Sequence, residues 1–209
     1  MYHHILRCAL VMSLALFPVS FRGAEKVEAD SLGTPRKLEL KANLPAWGFL
    51  MGNAAAELQM TRHLSLEIPV YYSAVNYFSR VTKFRVFAIQ PQLRWNFSGM
   101  ARGWFAEAHF SLASFNIAVN GAYRYQDYLG HHPAMGAGIG VGYRMPIGRS
   151  GRWNLEFSAG AGWLHLDYTR FENRHNGPAV DRVQRDYWGL DRLAVSVGYV
   201  FDLTNCRCR

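Results

Sequence analysis

RWNLEFSAGAGW, residues 152–163, alternates two kinds of side chain without a break. Trp153, Leu155, Phe157, Ala159, Ala161 and Trp163 are apolar, and Asn154, Glu156, Ser158, Gly160 and Gly162 between them are polar or lack a side chain. A strand turns successive side chains to opposite faces, so this stretch reads as a strand with one greasy face and one polar or empty face. The fold then depends on which way the greasy face points.

The same period of two recurs from Lys37 onward. KLELKANL sets Leu38, Leu40, Ala42 and Leu44 against Glu39, Lys41 and Asn43, and NAAAELQM sets Ala54, Ala56, Leu58 and Met60 against Glu57 and Gln59. LSLEIPVYYS opposes Leu66, Ile68 and Val70 to Ser65 and Glu67, and FAIQPQLRWNF opposes Phe87, Leu93 and Trp95 to Gln90, Gln92 and Arg94. GWFAEAHFSL has Trp104, Ala106, Ala108 and Phe110 opposite Phe105, Glu107 and His109. MGAGIGVGYRM alternates Met135, Ile139, Val141 and Tyr143 with four glycines and Arg144, and RLAVSVGYVFDL alternates Leu193, Val195 and Val197 with Arg192 and Ser196. With the opening stretch as the seventh, eight strands are predicted, each near the length that a tilted strand needs to cross a bilayer.

Connections at Thr61–His63, Ser98–Arg102 and Ile147–Arg152 are tight, whereas those between strands three and four, five and six, and seven and eight are longer. The first connection, Pro45–Met51, is barely longer than a turn. Alternating short and long connections predict an up-and-down barrel with its turns and both termini at one end. A soluble sandwich or ligand-carrying barrel would bury Leu, Phe and Trp and show the charges to water. That arrangement explains neither the aromatics near strand ends (Trp95, Trp104, Tyr143, Trp153, Trp163, Tyr199, Phe201) nor the glycines of strand six. Membrane interfaces select aromatic girdles, and a crowded interior needs small residues. The expectation is an all-β, eight-stranded antiparallel up-and-down transmembrane β-barrel over residues 37–203.

Its interior would hold Glu39, Lys41, Glu57, Glu67, Arg94, Glu107, His109, Arg144, Glu156 and Arg192. Buried charges of both signs must pair, which predicts a plugged lumen laced with ion pairs and no open pore. Through the tight turn after Ile147, Gly142, Gly140 and Gly138 should lie beside Ser158, Gly160 and Gly162. That seam is expected to take long side chains from the opposite wall, Arg94 among them.

Residues 1–24 read as a secretory signal, a charged start carrying Arg7 and then an apolar run, with cleavage placed between 20 and 29. The apolar run is shorter than the roughly 20 residues of a spanning helix. Two of the 23 basic residues, Arg7 and Arg22, would leave with it, so 21 remain against 15 acidic ones. That excess is scattered, which suits outer-membrane lipid headgroups and argues against a nucleic-acid partner. Residues 25–36 form an N-terminal periplasmic segment, and 204–209 a basic tail whose Cys206 and Cys208 make a poor metal site by themselves.

KLELKANLPAW, TRHLSLEIPVYYS, FRVFAIQPQLRWNF and above all GIGVGYRMPIGRSGRWNLEFSAGAGW carry a resemblance. From about Leu38 to Leu203 the chain resembles the domain of unknown function 3575, a family of small outer-membrane β-barrel proteins of gut-type Gram-negative bacteria. The resemblance implies the barrel but brings no activity and no site residues. The cysteine-containing tail and the polar fourth long loop, TRFENRHNGPAVDRVQRDYWG, depart from the family pattern.

Three functions follow as expectations. The first is a structural or surface-interaction protein of the cell outer membrane, contacting lipids or an envelope protein through its loops, with no cofactor. The second is a lipid-modifying enzyme, for which His165 and Asp167 are the candidate pair, although a His and an Asp at a strand end more often order a loop. The third is a soluble periplasmic ligand carrier. His131 and His132 supply too few ligands for a metal and read as an exposed loop. Arg170, Arg174, Arg182 and Arg185 of the fourth loop, mixed with Glu172, Asp181 and Asp186, read first as a solvated loop and second as contacts for lipopolysaccharide phosphates or a protein partner.

Overall fold

A computed structural model describes residues 37–48, 50–75, 82–118, 121–127 and 131–203. The signal segment with Cys8, the segment 25–36 and the tail with Cys206 and Cys208 lie outside the described residues. The chain is a closed eight-stranded antiparallel β-barrel, written in ten strand segments because two of the eight strands are interrupted. These are β1 (Lys37–Asn43), β2 (Gly52–Gln59), β3 (Leu64–Val75), β4 (Lys83–Ile89), β5 (Gln92–Asn96), β6 (Gly103–Ala118), β7 (Tyr123–Asp127), β8 (Ala134–Ile147), β9 (Trp153–Glu172) and β10 (Ala179–Asp202). Each strand pairs with its sequence neighbour, and β1 closes the ring on β10 from Lys37↔Asp202 to Asn43↔Ser196.

Segments β4 and β5 are one strand with a proline in it. Both pair with β3 and with β6, and Pro91, which has no N–H to give the ladder, marks the break. Segments β7 and β8 likewise both lie between β6 and β9. The three tight turns gather at one end, and the last of them, after Ile147, places Gly148 (φ 74°) and Gly151 (φ 63°) in the left-handed region.

The register through that turn pairs Gly142 with Ser158, Gly140 with Gly160 and Gly138 with Gly162, as expected. What fills the seam is different. A Cβ on Gly142 would lie 2.2 Å from Cζ of Phe105, one on Gly140 2.9 Å from Oε1 of Glu107, and one on Gly138 2.6 Å from Nε2 of His109. The occupants thus come from both flanking strands, β6 beside β8 and β10 beside β9, whose Asp191 Oδ2 would lie 2.7 Å from the same Cβ on Gly138, because the sheet's curvature throws adjacent side chains together sooner than opposite ones. Arg94 instead lies over the Phe105 ring, its guanidinium carbon 4.5 Å from the ring centroid.

Two connections differ from expectation. The first, at Leu44–Gly48, is a single helical turn (α1) that Pro45 can open at no hydrogen-bond cost. The fourth is not a long loop: β9 runs to Glu172 and β10 starts at Ala179, leaving only 173–178 as the tip. Its charged residues pair across two strands, so a polar stretch that reads as loop is held as sheet by cross-strand ion pairs.

The packing is inverted relative to a water-soluble domain. Among the described residues, six apolar residues are buried against twenty-three polar or charged ones. The alternate side chains look outward: Ile139 is 72% exposed, Leu193 67% and Trp104 60%. On the outer face of β9 and β10 the apolar series stops at the cross-strand pair Trp163 and Trp188, and beyond it come His165, Asp186, Asp167 and Gln184.

Candidate functional site in the barrel interior and its projecting hairpin

Because the strands alternate, every second residue of the barrel wall faces inward, and the charged ones meet. The ten interior candidates Glu39, Lys41, Glu57, Glu67, Arg94, Glu107, His109, Arg144, Glu156 and Arg192 are all buried. Lys41 sits at the centre, where its ammonium donates to carboxylates of Glu57, Glu67 (2.7 Å) and Glu156 (2.9 Å). Arg94 spans the same acids, with Nη1 2.6 Å from Glu67 and 2.8 Å from Glu156, and Nη2 3.2 Å from Glu107. Arg144 reaches Glu57 (2.5 Å) and Glu156 (2.9 Å) through Nη2, and its Nη1 donates to the carbonyl of Met100 at 2.7 Å. Glu39 accepts from Asn154 at 3.1 Å.

Carboxylates of Glu57, Glu67 and Glu156 stand within 4.8 Å of one another, close enough to ligate a cation. The Lys41 ammonium already touches all three, so the place of a metal is taken by a tethered charge. Nearer the hairpin end, Arg192 meets Glu107 at 2.9 Å and donates to Gln90 at 3.0 Å. His109 pairs at 2.8 Å with Asp191, a residue the alternation pattern does not reveal. A bulge in β10 between Leu190 and Arg192 turns both Asp191 and Arg192 inward, where strict alternation would expose one of them. Asn154, Gln92 and Ser65 are the most deeply buried of the uncharged polar residues beside them.

Arg170, Arg174 and Arg182 of the hairpin are each matched to an acid of the same hairpin. Arg170 binds Asp181 through Nε at 2.6 Å, Arg174 binds Glu172 at 2.6 Å, and Arg182 donates to Asp167 from Nε at 2.8 Å. The Arg182 hydrogen bond, with help from Gln184, lowers Asp167 to about 2. Arg170 lowers Asp181, and His165 lowers Asp186. His165 and Asp167 therefore do not act on each other. His165 Nδ1 lies 2.8 Å from Asp186, which also accepts from the Trp163 indole at 3.2 Å. His131 and His132 are exposed, ahead of β8.

An eight-stranded barrel with a sealed, ion-paired interior and an apolar outer wall is the class that this geometry defines. The chain belongs to the family described as Protein of unknown function (DUF3575), whose model matches residues 13–201. No curated protein matches it.

Proposed function

We propose that the chain is an outer-membrane protein that spans the bilayer as this barrel and serves a structural or surface-interaction role through its projecting β9–β10 hairpin. One observation carries the reading: large apolar side chains face outward in a belt whose two edges are aromatic, while the charges face inward. The belt has the right height. From Trp153 to Trp163 are ten residue steps, and at about 3.3 Å each with a tilt of about 40° they rise about 25 Å, the apolar band of an outer-membrane barrel. Trp95, Trp104, Tyr143, Trp153 and Tyr199 rim the turn end, with Trp104 against Tyr143 and Trp153 against Tyr199 edge-on at 5.1 Å.

In this reading the leader directs export, the turns face the periplasm and the hairpin faces outward. The sealed lumen makes the barrel an anchor, and specificity falls to what stands above the membrane. The full chain should sediment with the membrane fraction and migrate faster unboiled than boiled on a detergent gel. Recovery of the mature chain in the aqueous fraction would instead favour a soluble carrier. His165→Asn should leave lipid A and phospholipid composition unchanged, and an altered composition would move the reading to a lipid-modifying enzyme.

A further inference from the structure

Above the aromatic edge, the outward face of β4, β6 and β7 carries a group of cations. Lys83 lies opposite Ala118 and Arg85 opposite Asn116, and Asn116 lies opposite Gln126 on β7. One step further in that register brings Ala118 beside Arg124, so Lys83 and Arg124 flank Ala118, which is fully buried. Arg85 shares its face with Phe87, two residues nearer the belt and 51% exposed. With strands about 4.8 Å apart, the three backbones span about 10 Å, within converging reach of Lys and Arg side chains.

Unlike Arg170, Arg174 and Arg182 of the hairpin, this group meets no counter-charge among the described residues. Among the described residues none of the three pairs with a carboxylate, and the adjoining segments 76–81, 119–120 and 128–130 contain no Asp or Glu. Arg124 is held over the Phe171 ring at 4.5 Å, and its buried Nε has no hydrogen-bond acceptor. Burial, then the Arg124 and Arg85 guanidiniums, push the Lys83 ammonium below its usual value. An anion placed among the three would relieve that repulsion and supply the missing acceptor.

We propose that Lys83, Arg85 and Arg124 form a phosphate-binding site on the outer wall, taking the phosphate of an anionic amphiphile at headgroup level. Its place at headgroup level rests on the membrane reading given above. The cations lie just past the apolar belt, where a lipid with its tails against the barrel would carry its phosphate, and guanidinium forks suit phosphate oxygens.

The test uses the full mature chain folded in maltoside micelles, titrated with a phosphatidic acid carrying a fluorophore on one tail and read by anisotropy. Binding should saturate, and the matching diacylglycerol should not bind. The triple variant K83Q/R85Q/R124Q should bind about tenfold more weakly or worse, and R85Q alone, at an exposed position, about threefold. R174Q, which removes a paired hairpin arginine, should bind as the wild type does. Displacement by millimolar inorganic phosphate would mark a site open to free phosphate as well, and resistance to it would mark one confined to the lipid. Wild-type affinity in the triple variant, or equal weakening by R174Q and R85Q, would overturn the proposal. Insertion of the same proteins into uncharged phosphatidylcholine vesicles reads the membrane proposal separately. A wild type that inserts while the triple variant still binds removes the phosphate site alone. A wild type that fails to insert removes the membrane reading, and the micelle titration still decides the site.

Discussion

His109 Nε2 and Asp191 Oδ2 stand 2.8 Å apart inside the barrel because β10 carries one residue more than β9 between Leu190 and Arg192. The bulge gives the histidine a partner and leaves Arg192 its own inward place against Glu107. Removing the carboxylate by Asp191→Leu would strand a buried ring nitrogen, at a cost of about 1–3 kcal/mol. Asp191→Asn keeps an oxygen there and should cost less. Urea midpoints of the micelle-folded barrel would check the order, and equal midpoints for the two variants would show that His109 does not need this partner.

Lys41 is the centre of the interior network, touching Glu57, Glu67 and Glu156. Lys41→Met leaves carboxylates buried with less compensation, which should cost about 3–5 kcal/mol. Adding Glu57→Gln removes one of the stranded charges, so the double variant should be more stable than Lys41→Met alone. A cycle of the two variants by urea unfolding measures this, and strict additivity would mean that the two groups do not interact.

Much of this network is legible in the sequence, because a period of two assigns each charge to a face without any knowledge of contacts. Glu39, Glu57, Arg94 and Glu156 could be placed inward from alternation alone, and the glycine register followed from one tight turn. Asp191 was not legible, since a bulge breaks the period at the residue in question. The hairpin failed for another reason: Arg170, Arg182, Asp167 and Asp181 look like solvated loop until two strands put them face to face. Lys83, Arg85 and Arg124 come from segments 41 residues apart at the extremes and meet only through the ladders of β4, β6 and β7.

Gly142 faces the Phe105 ring closely enough that a methyl group would overlap it at 2.2 Å, and would also meet the Phe157 carbonyl at 2.6 Å. Gly142→Ala should therefore destabilise by about 1–3 kcal/mol through overpacking. Phe105→Leu in the same chain makes room and should restore part of the loss, leaving the share caused by the carbonyl. If Phe105→Leu makes Gly142→Ala worse, the ring is not the obstacle.

Acid should loosen the projecting hairpin before the barrel. Arg182 and Gln184 hold Asp167 at about 2, against an ordinary value of 3.8, and Asp181 and Asp186 are lowered by Arg170 and His165. A carboxyl whose folded value is depressed contributes stability that is fully present above its unfolded value and is lost as pH falls through the folded one. Amide exchange across 165–186 should thus be flat from pH 7 to about 4, after correction for intrinsic rates, and rise between about 4 and 2. Arg182→Gln returns Asp167 toward its ordinary value, so the hairpin loses this contribution at every pH above the window, and the rise on acidification becomes smaller. Protection in the wild type that is unchanged down to pH 2 would show that the Asp167 pair does not hold the two strands together.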